Sequence, residues 1–209
     1  MEQARQFFSA MIAGVMIGVG GTVFLVQQNP VVGSFLFTIG LFTVAVFQLQ
    51  LYTGKIGYLP FQKPIYILEL LITWIGNLAG TFLVAMMVRN SRIYESVAEK
   101  ANGIVLLKLQ DDFFSLFFLG IFCGLLMFLA IDTFRTQNGS TTKMIALFLP
   151  VMVFILAGFE HVIANMFYFS LTNTWSIHGW LVVLVVTIGN SVGGMMIPFY
   201  LKIFHLREN

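Results

Sequence analysis

Charge is what this sequence has least of: only 10% of its 209 residues are Asp, Glu, Lys or Arg, where a soluble domain carries roughly a quarter. So few charges cannot cover a water-facing surface, which excludes a soluble enzyme, a nucleic-acid-binding domain and a disordered tail. The net charge is +2, and no run of basic residues offers a patch for nucleic acid or lipid head groups. Cysteine is nearly absent as well. Cys123 stands alone inside an apolar run, so no internal disulfide is possible and the redox compartment stays unread. What the chain has in abundance is hydrocarbon: 58% hydrophobic residues, 23 of them Phe, and a mean hydropathy of +0.90. The bilayer is its solvent.

A membrane-crossing helix needs about 20 apolar residues, and the runs fall at 7–26, 31–47, 65–88, 113–131, 144–171 and 180–204. The first follows Arg5, but no cleavage region comes after it, so it reads as a retained helix. The second is short and is broken by Gln48, Gln50, Thr53, Gly54 and Lys55 before an apolar stretch resumes at 56–61. The fifth is interrupted at Gly158-Phe159-Glu160-His161 and again at Asn165. Residues 89–112 form the only long polar stretch and divide the chain into halves at 1–88 and 113–209. Each half reads as intact, broken, intact. Gly14-x-x-x-Gly18 and Gly120-x-x-x-Gly124 open the two halves, while Ile75-Gly76-Asn77-x-x-Gly80 and Ile188-Gly189-Asn190-x-x-Gly193 close them. Three spans per half is an odd number, so two halves of one fold must lie oppositely oriented. The expected fold is therefore an all-α membrane protein, six spans as a 3+3 inverted repeat, with its site where the broken second and fifth helices meet.

Basic residues set the orientation. With both termini cytoplasmic, Arg5, Lys55, Lys63, Arg135, Lys143, Lys202 and Arg207 lie inside, and Arg89, Arg92, Lys100 and Lys108 lie on an outer connector at 89–112. Seven against four favours that topology.

Ionisable side chains at membrane depth cost about 2.5–3.5 kcal/mol on insertion scales, so each needs a partner or a task. Glu160 and His161 are the deepest. Both can serve merely to satisfy backbone groups freed at the helix break. Since an imidazole ordinarily titrates at about pH 6.5, His161 is also expected to lend or withdraw a proton. A metal reading fails, because a helical zinc motif needs a second His where Asn165 stands. Lys108 reads by default as a solvated loop lysine, and Glu69 as an interfacial or inter-helix hydrogen-bond partner. The glycine pairs read as packing notches.

Residues 158–167, Gly-Phe-Glu-His-Val-Ile-Ala-Asn-Met-Phe, resemble the GFEHSxANMF signature of the formate/nitrite transporter family. Leu51-Tyr52-Thr53-Gly54 resembles that family's LFTG loop, residues 75–80 its FGNLxG, and residues 186–194 its VTLGNIIGG, all in the right order. The resemblance implies an aquaporin-like protomer in a prokaryotic inner membrane, assembled as a homopentamer without a cofactor. Each protomer would pass small monovalent anions such as formate, nitrite, hydrosulfide, acetate or lactate. It also implies roles: His161 as the central pore histidine, Thr53 as the loop threonine beside it, and Lys108 as the vestibule lysine. Glu160 and Asn165 would lie with them along the pore. Phe37, Tyr52 and Phe154 would form the outer constriction, Leu41 and Leu51 the inner one. Three positions depart from the pattern: Gly124 replaces a polar vestibule Asn, Gln50 an acidic residue, and Tyr52 a phenylalanine. The expectation is that the few residues before Phe7 leave no room for the family's amphipathic gating helix.

A bare anion in an apolar constriction loses its hydration, a penalty that protonation would largely remove. The expectation is that Lys108 attracts the anion and that the neutral acid crosses, its proton drawn from His161 or from water beside it. A channel for neutral solutes is the nearest rival. An enzyme is the more distant one, since HExxH and GxSxG are both absent.

Overall fold

A computed structural model describes residues 1–204 and Leu206; the expected inward residue Arg207 and the tail residue His205 fall outside it. Among the described residues the secondary structure is helical. Four helices are long and apolar enough to cross a membrane: α1 (Glu2–Val26), α4 (Tyr66–Arg89), α6 (Phe113–Thr136) and α9 (Ile177–Ile203). Two 17-residue helices, α2 (Pro30–Val46) and α7 (Ser140–Leu156), stop short and are followed by α3 (Tyr52–Lys55) and α8 (Val162–Thr172). A 3-10 turn, Ile56–Phe61, extends α3.

Local chemistry explains the starts. Asn29 accepts from the N–H groups of Val31 and Val32, with Pro30 in the first turn of α2. Asp112 accepts from Phe114 and Ser115 to cap α6, and Ser176 accepts from Gly179 to cap α9. These side chains occupy donors that a helix start leaves orphaned.

The two short helices end alike. After α2, Gln48 takes a φ of 52°, and after α7, Gly158 takes a φ of 73°. In both places the next N–H turns back to the helix: Leu49 donates to Val44 O at 2.9 Å, and Phe159 to Phe154 O at 2.8 Å. This left-handed ending reverses the chain and releases backbone groups that lipid cannot satisfy.

Two asparagines take them up. Asn77 on α4 donates to Ala10 O and Gln50 O and accepts from Tyr52 N–H. Asn190 on α9 donates to Gly120 O and Glu160 O and accepts from Val162 N–H. Each asparagine thus ties one long helix to another and to the chain just before α3 or α8.

Close backbone contact makes this possible. A Cβ on Gly14 would lie 2.2 Å from Asn77 O, and one on Gly124 would lie 2.1 Å from Asn190 O; Gly80 and Gly193 face Met11 O and Ile121 O in the same way. These are the notches through which α1 packs on α4 and α6 on α9. They also correct the register read from sequence: Gly14 is matched by Gly124, not by Gly120, whose counterpart is Ala10.

The polar stretch 89–112 is more than a connector. It contains α5 (Tyr94–Gln110), a 17-residue helix whose Val97, Ala101 and Val105 are buried at four-residue intervals. Lys100 of α5 donates to Phe24 O and Gln27 O at 2.9 Å each and lies 4.2 Å from the Phe24 ring. A cation is thereby set on the final carbonyls of α1, where the helix dipole favours it; burial lowers the Lys100 amine below the usual lysine range. Asn165 is no second interruption: it lies within α8, its N–H donating to His161 O at 2.9 Å.

Candidate functional site

The beginnings of α3 and α8 meet at the centre of the molecule. There Thr53 Oγ1 and His161 Nε2 are 3.0 Å apart, joined across 108 residues of sequence, and both side chains are buried. His161 is also the cap of α8, its Nδ1 accepting from Ala164 N–H at 3.2 Å. A neutral imidazole has one donor and one acceptor nitrogen. With Nδ1 used as acceptor, the proton sits on Nε2 and is donated to Thr53 Oγ1, which leaves the threonine hydroxyl proton for another acceptor.

His161 forms part of the wall of a cavity of about 300 Å³, together with Phe24, Phe37, Lys108, Phe154 and Asn165. Phe154 stacks on the His161 ring, centroids 5.4 Å apart at 22°, and Phe37 meets Phe154 edge-on at 6.0 Å. The aromatic pair expected to constrict the passage thus stands directly beside the imidazole. Tyr52, expected to join it, does not line this cavity. Its hydroxyl is 2.9 Å from Ser191 Oγ. Since Ser191 Oγ donates to Thr187 O at 2.6 Å, Tyr52 is the donor of that pair. Leu41 and Leu51 are buried, and neither lines the cavity.

Lys108 departs from the loop lysine expected. It occupies the last turn of α5 and reaches Glu160 at both carboxylate oxygens, 2.6 and 2.7 Å. Asn165 Nδ2 donates to the same carboxylate at 2.6 Å. Side-chain exposure is 12% for Lys108 and 6% for Glu160, so this is a shielded, bidentate pair whose charges largely cancel. Glu160 does not satisfy the backbone groups freed at the break. The asparagines do that.

Gly124 also lies elsewhere than expected. It faces the α9 backbone and is absent from the cavity wall, so it is a helix-packing position and not a vestibule position that has lost its polar side chain. Gly124→Asn is expected to destabilise the protein by about 1–3 kcal/mol through overpacking, read as a lowered melting temperature in detergent; an unchanged melt would show that α6 and α9 can part there.

The sequence reading gave Asn77 and Asn190 no role beyond their place in a repeated Ile-Gly-Asn motif. That repetition at matching places in the two halves was the signal. Ser191 carried none, because only the fold brings it to Tyr52. Among the described residues, no group of three or more His, Cys, Asp or Glu side chains is arranged to hold a metal ion.

The family model described as formate/nitrite transporter matches residues 1–204. Nitrite transporter NirC of Escherichia coli (strain K12) is 30% identical over 181 residues, covering 78% of this chain and 67% of NirC. Formate channel FocB of the same organism is 29% identical over 184 residues, covering 77% of this chain and 64% of FocB; the aligned part thus spans just under two thirds of FocB. Among solved structures, a pentameric formate channel with formate bound superposes with a TM-score of 0.81 at 23% identity, covering 99% of this chain and 98% of that one. An FNT family ion channel superposes with a TM-score of 0.80 at 27% identity, covering 97% and 90%. With a family match over almost its whole length, the chain belongs to the formate/nitrite transporter family.

Proposed function

We propose that this protein is a membrane channel for the small monovalent anions of weak acids, formate first, with nitrite, hydrosulfide, lactate and acetate behind it. In this reading it is an aquaporin-like 3+3 inverted repeat. The first repeat is 1–88, the outer connector 89–112 and the second repeat 113–209. Both termini lie in the cytoplasm, and five copies assemble in a prokaryotic inner membrane. FocB, a formate channel, and NirC, a nitrite transporter, support the substrate class, and the pentameric formate channel supports the assembly.

The observation that carries the proposal is the buried Thr53–His161 pair beside the Phe37 and Phe154 rings. An anion entering so apolar a passage loses hydration, and fixed O–H and N–H donors replace part of it. The Thr53 hydroxyl, holding the His161 proton on one side, turns its own proton toward the ion. A proton taken from solvent on the entry side then neutralises the ion, so that the acid passes the rings and gives the proton up on the far side. His161 Nδ1 is engaged by Ala164 N–H, so a second proton enters the ring only if the cap of α8 opens; proton uptake and movement of α8 are coupled here.

Formate uptake into proteoliposomes tests this. Thr53→Val keeps the shape and removes the hydroxyl, and it is expected to cut uptake about tenfold or more, the worth of a hydrogen bond to a charged group, with the oligomer unchanged on size exclusion. Wild-type uptake in that variant would overturn the assignment. A second reading, a channel for neutral small solutes, is favoured by the mutual cancellation of Lys108 and Glu160 in the cavity wall. It predicts flux indifferent to membrane potential.

A further inference from the structure

A second, larger cavity of about 670 Å³ opens at the other end of α1, lined among others by Arg5, Ser9, Gln50, Lys55 and Glu69. Ser9 precedes Phe24, which lines the first cavity, by 15 residues of continuous helix, so the two lie about 22 Å apart along α1. We infer that this second cavity is an anion site centred on Lys55, held in the resting protein by the carboxylate of Glu69, which an incoming small carboxylate displaces.

The two cavities share a construction and differ in its charge. Asn77 bonds Gln50 O as Asn190 bonds Glu160 O. Five residues further on, Lys55 donates to Gln50 Oε1 at 2.5 Å and Asn165 donates to Glu160 Oε2 at 2.6 Å. At Glu160 the acceptor is a carboxylate and Lys108 neutralises it at two oxygens. At Gln50 the acceptor is a neutral amide, so the charge on Lys55 is not answered there. Glu69 answers it, through one oxygen at 3.4 Å. The lysine side chain is 16% exposed and the glutamate 44%: a sheltered cation has a solvated, loosely held counter-ion. A long single contact of that kind is weak, so the glutamate offers little resistance to a carboxylate that makes a shorter bond to Lys55. Ser9, whose Oγ accepts from Gln50 N–H at 3.3 Å, has its hydroxyl proton left to donate.

The inference takes only its class of ion from the proposed function. It is tested by formate binding to the purified full chain in detergent, read by saturation transfer to the formate proton, and separately by flux in proteoliposomes. Glu69→Gln removes the competing carboxylate and is expected to tighten formate binding about two- to fivefold, the range of an exposed ion pair. Lys55→Met is expected to weaken binding by at least as much. Formate affinities unchanged in both variants would overturn the site, whether or not the vesicles conduct. Affinities that shift as stated in protein whose vesicles pass no formate would keep the site and sink the channel reading instead.

Discussion

Asn190→Leu is expected to lower the melting temperature of the detergent-solubilised protein by about ten degrees. The substitution strands Val162 N–H and Glu160 O, two buried backbone groups, and removes the tie to Gly120 O on α6. Each unsatisfied group costs about 1–3 kcal/mol, and a domain of this size loses about 2–4 °C per kcal/mol. Asn77→Leu strands Gln50 O and Tyr52 N–H, removes the tie to Ala10 O on α1, and is expected to cost about as much. A melt within a few degrees of wild type in either variant would show that other groups or water reach these positions.

Lys108→Met comes next in size. It leaves the Glu160 carboxylate buried with Asn165 as its remaining partner, and breaking a buried pair from one side costs about 3–5 kcal/mol. Converting the carboxylate to an amide as well, in Lys108→Met with Glu160→Gln, is expected to return most of that stability, because no uncompensated charge is left. Thermal melts of the two single variants and the double variant decide it. Additive losses in the double variant would mean that the pair is not coupled.

Much of this architecture could be read from the chain, because in a bilayer a long apolar run has few other uses. The all-helical class and the positions of the four long apolar helices followed from hydropathy. The pairing of His161 with Thr53 followed from a motif resemblance, not from spacing. Other features were illegible for physical reasons. α5 looks like a loop by composition, since only every fourth residue of it faces the core. Lys108 and Glu160 are 52 residues apart, and no local pattern announces a pair made across the fold. Gly124 reads as a missing side chain until the carbonyl of Asn190 is seen 2.1 Å from where that side chain would begin.

The anchoring of α5 bears on how a solute would reach the buried imidazole in the proposed channel. Lys100 fastens the helix to the end of α1, Lys108 fastens it to Glu160, and His178 Nε2 lies 3.0 Å from Leu109 O at its final turn. A segment pinned at three points behaves as a fixed lintel and not as a swinging door. In the proposed channel, whatever enters would have to be small enough to pass this fixed helix, so molecular girth, ahead of any opening movement, would set the first sieve.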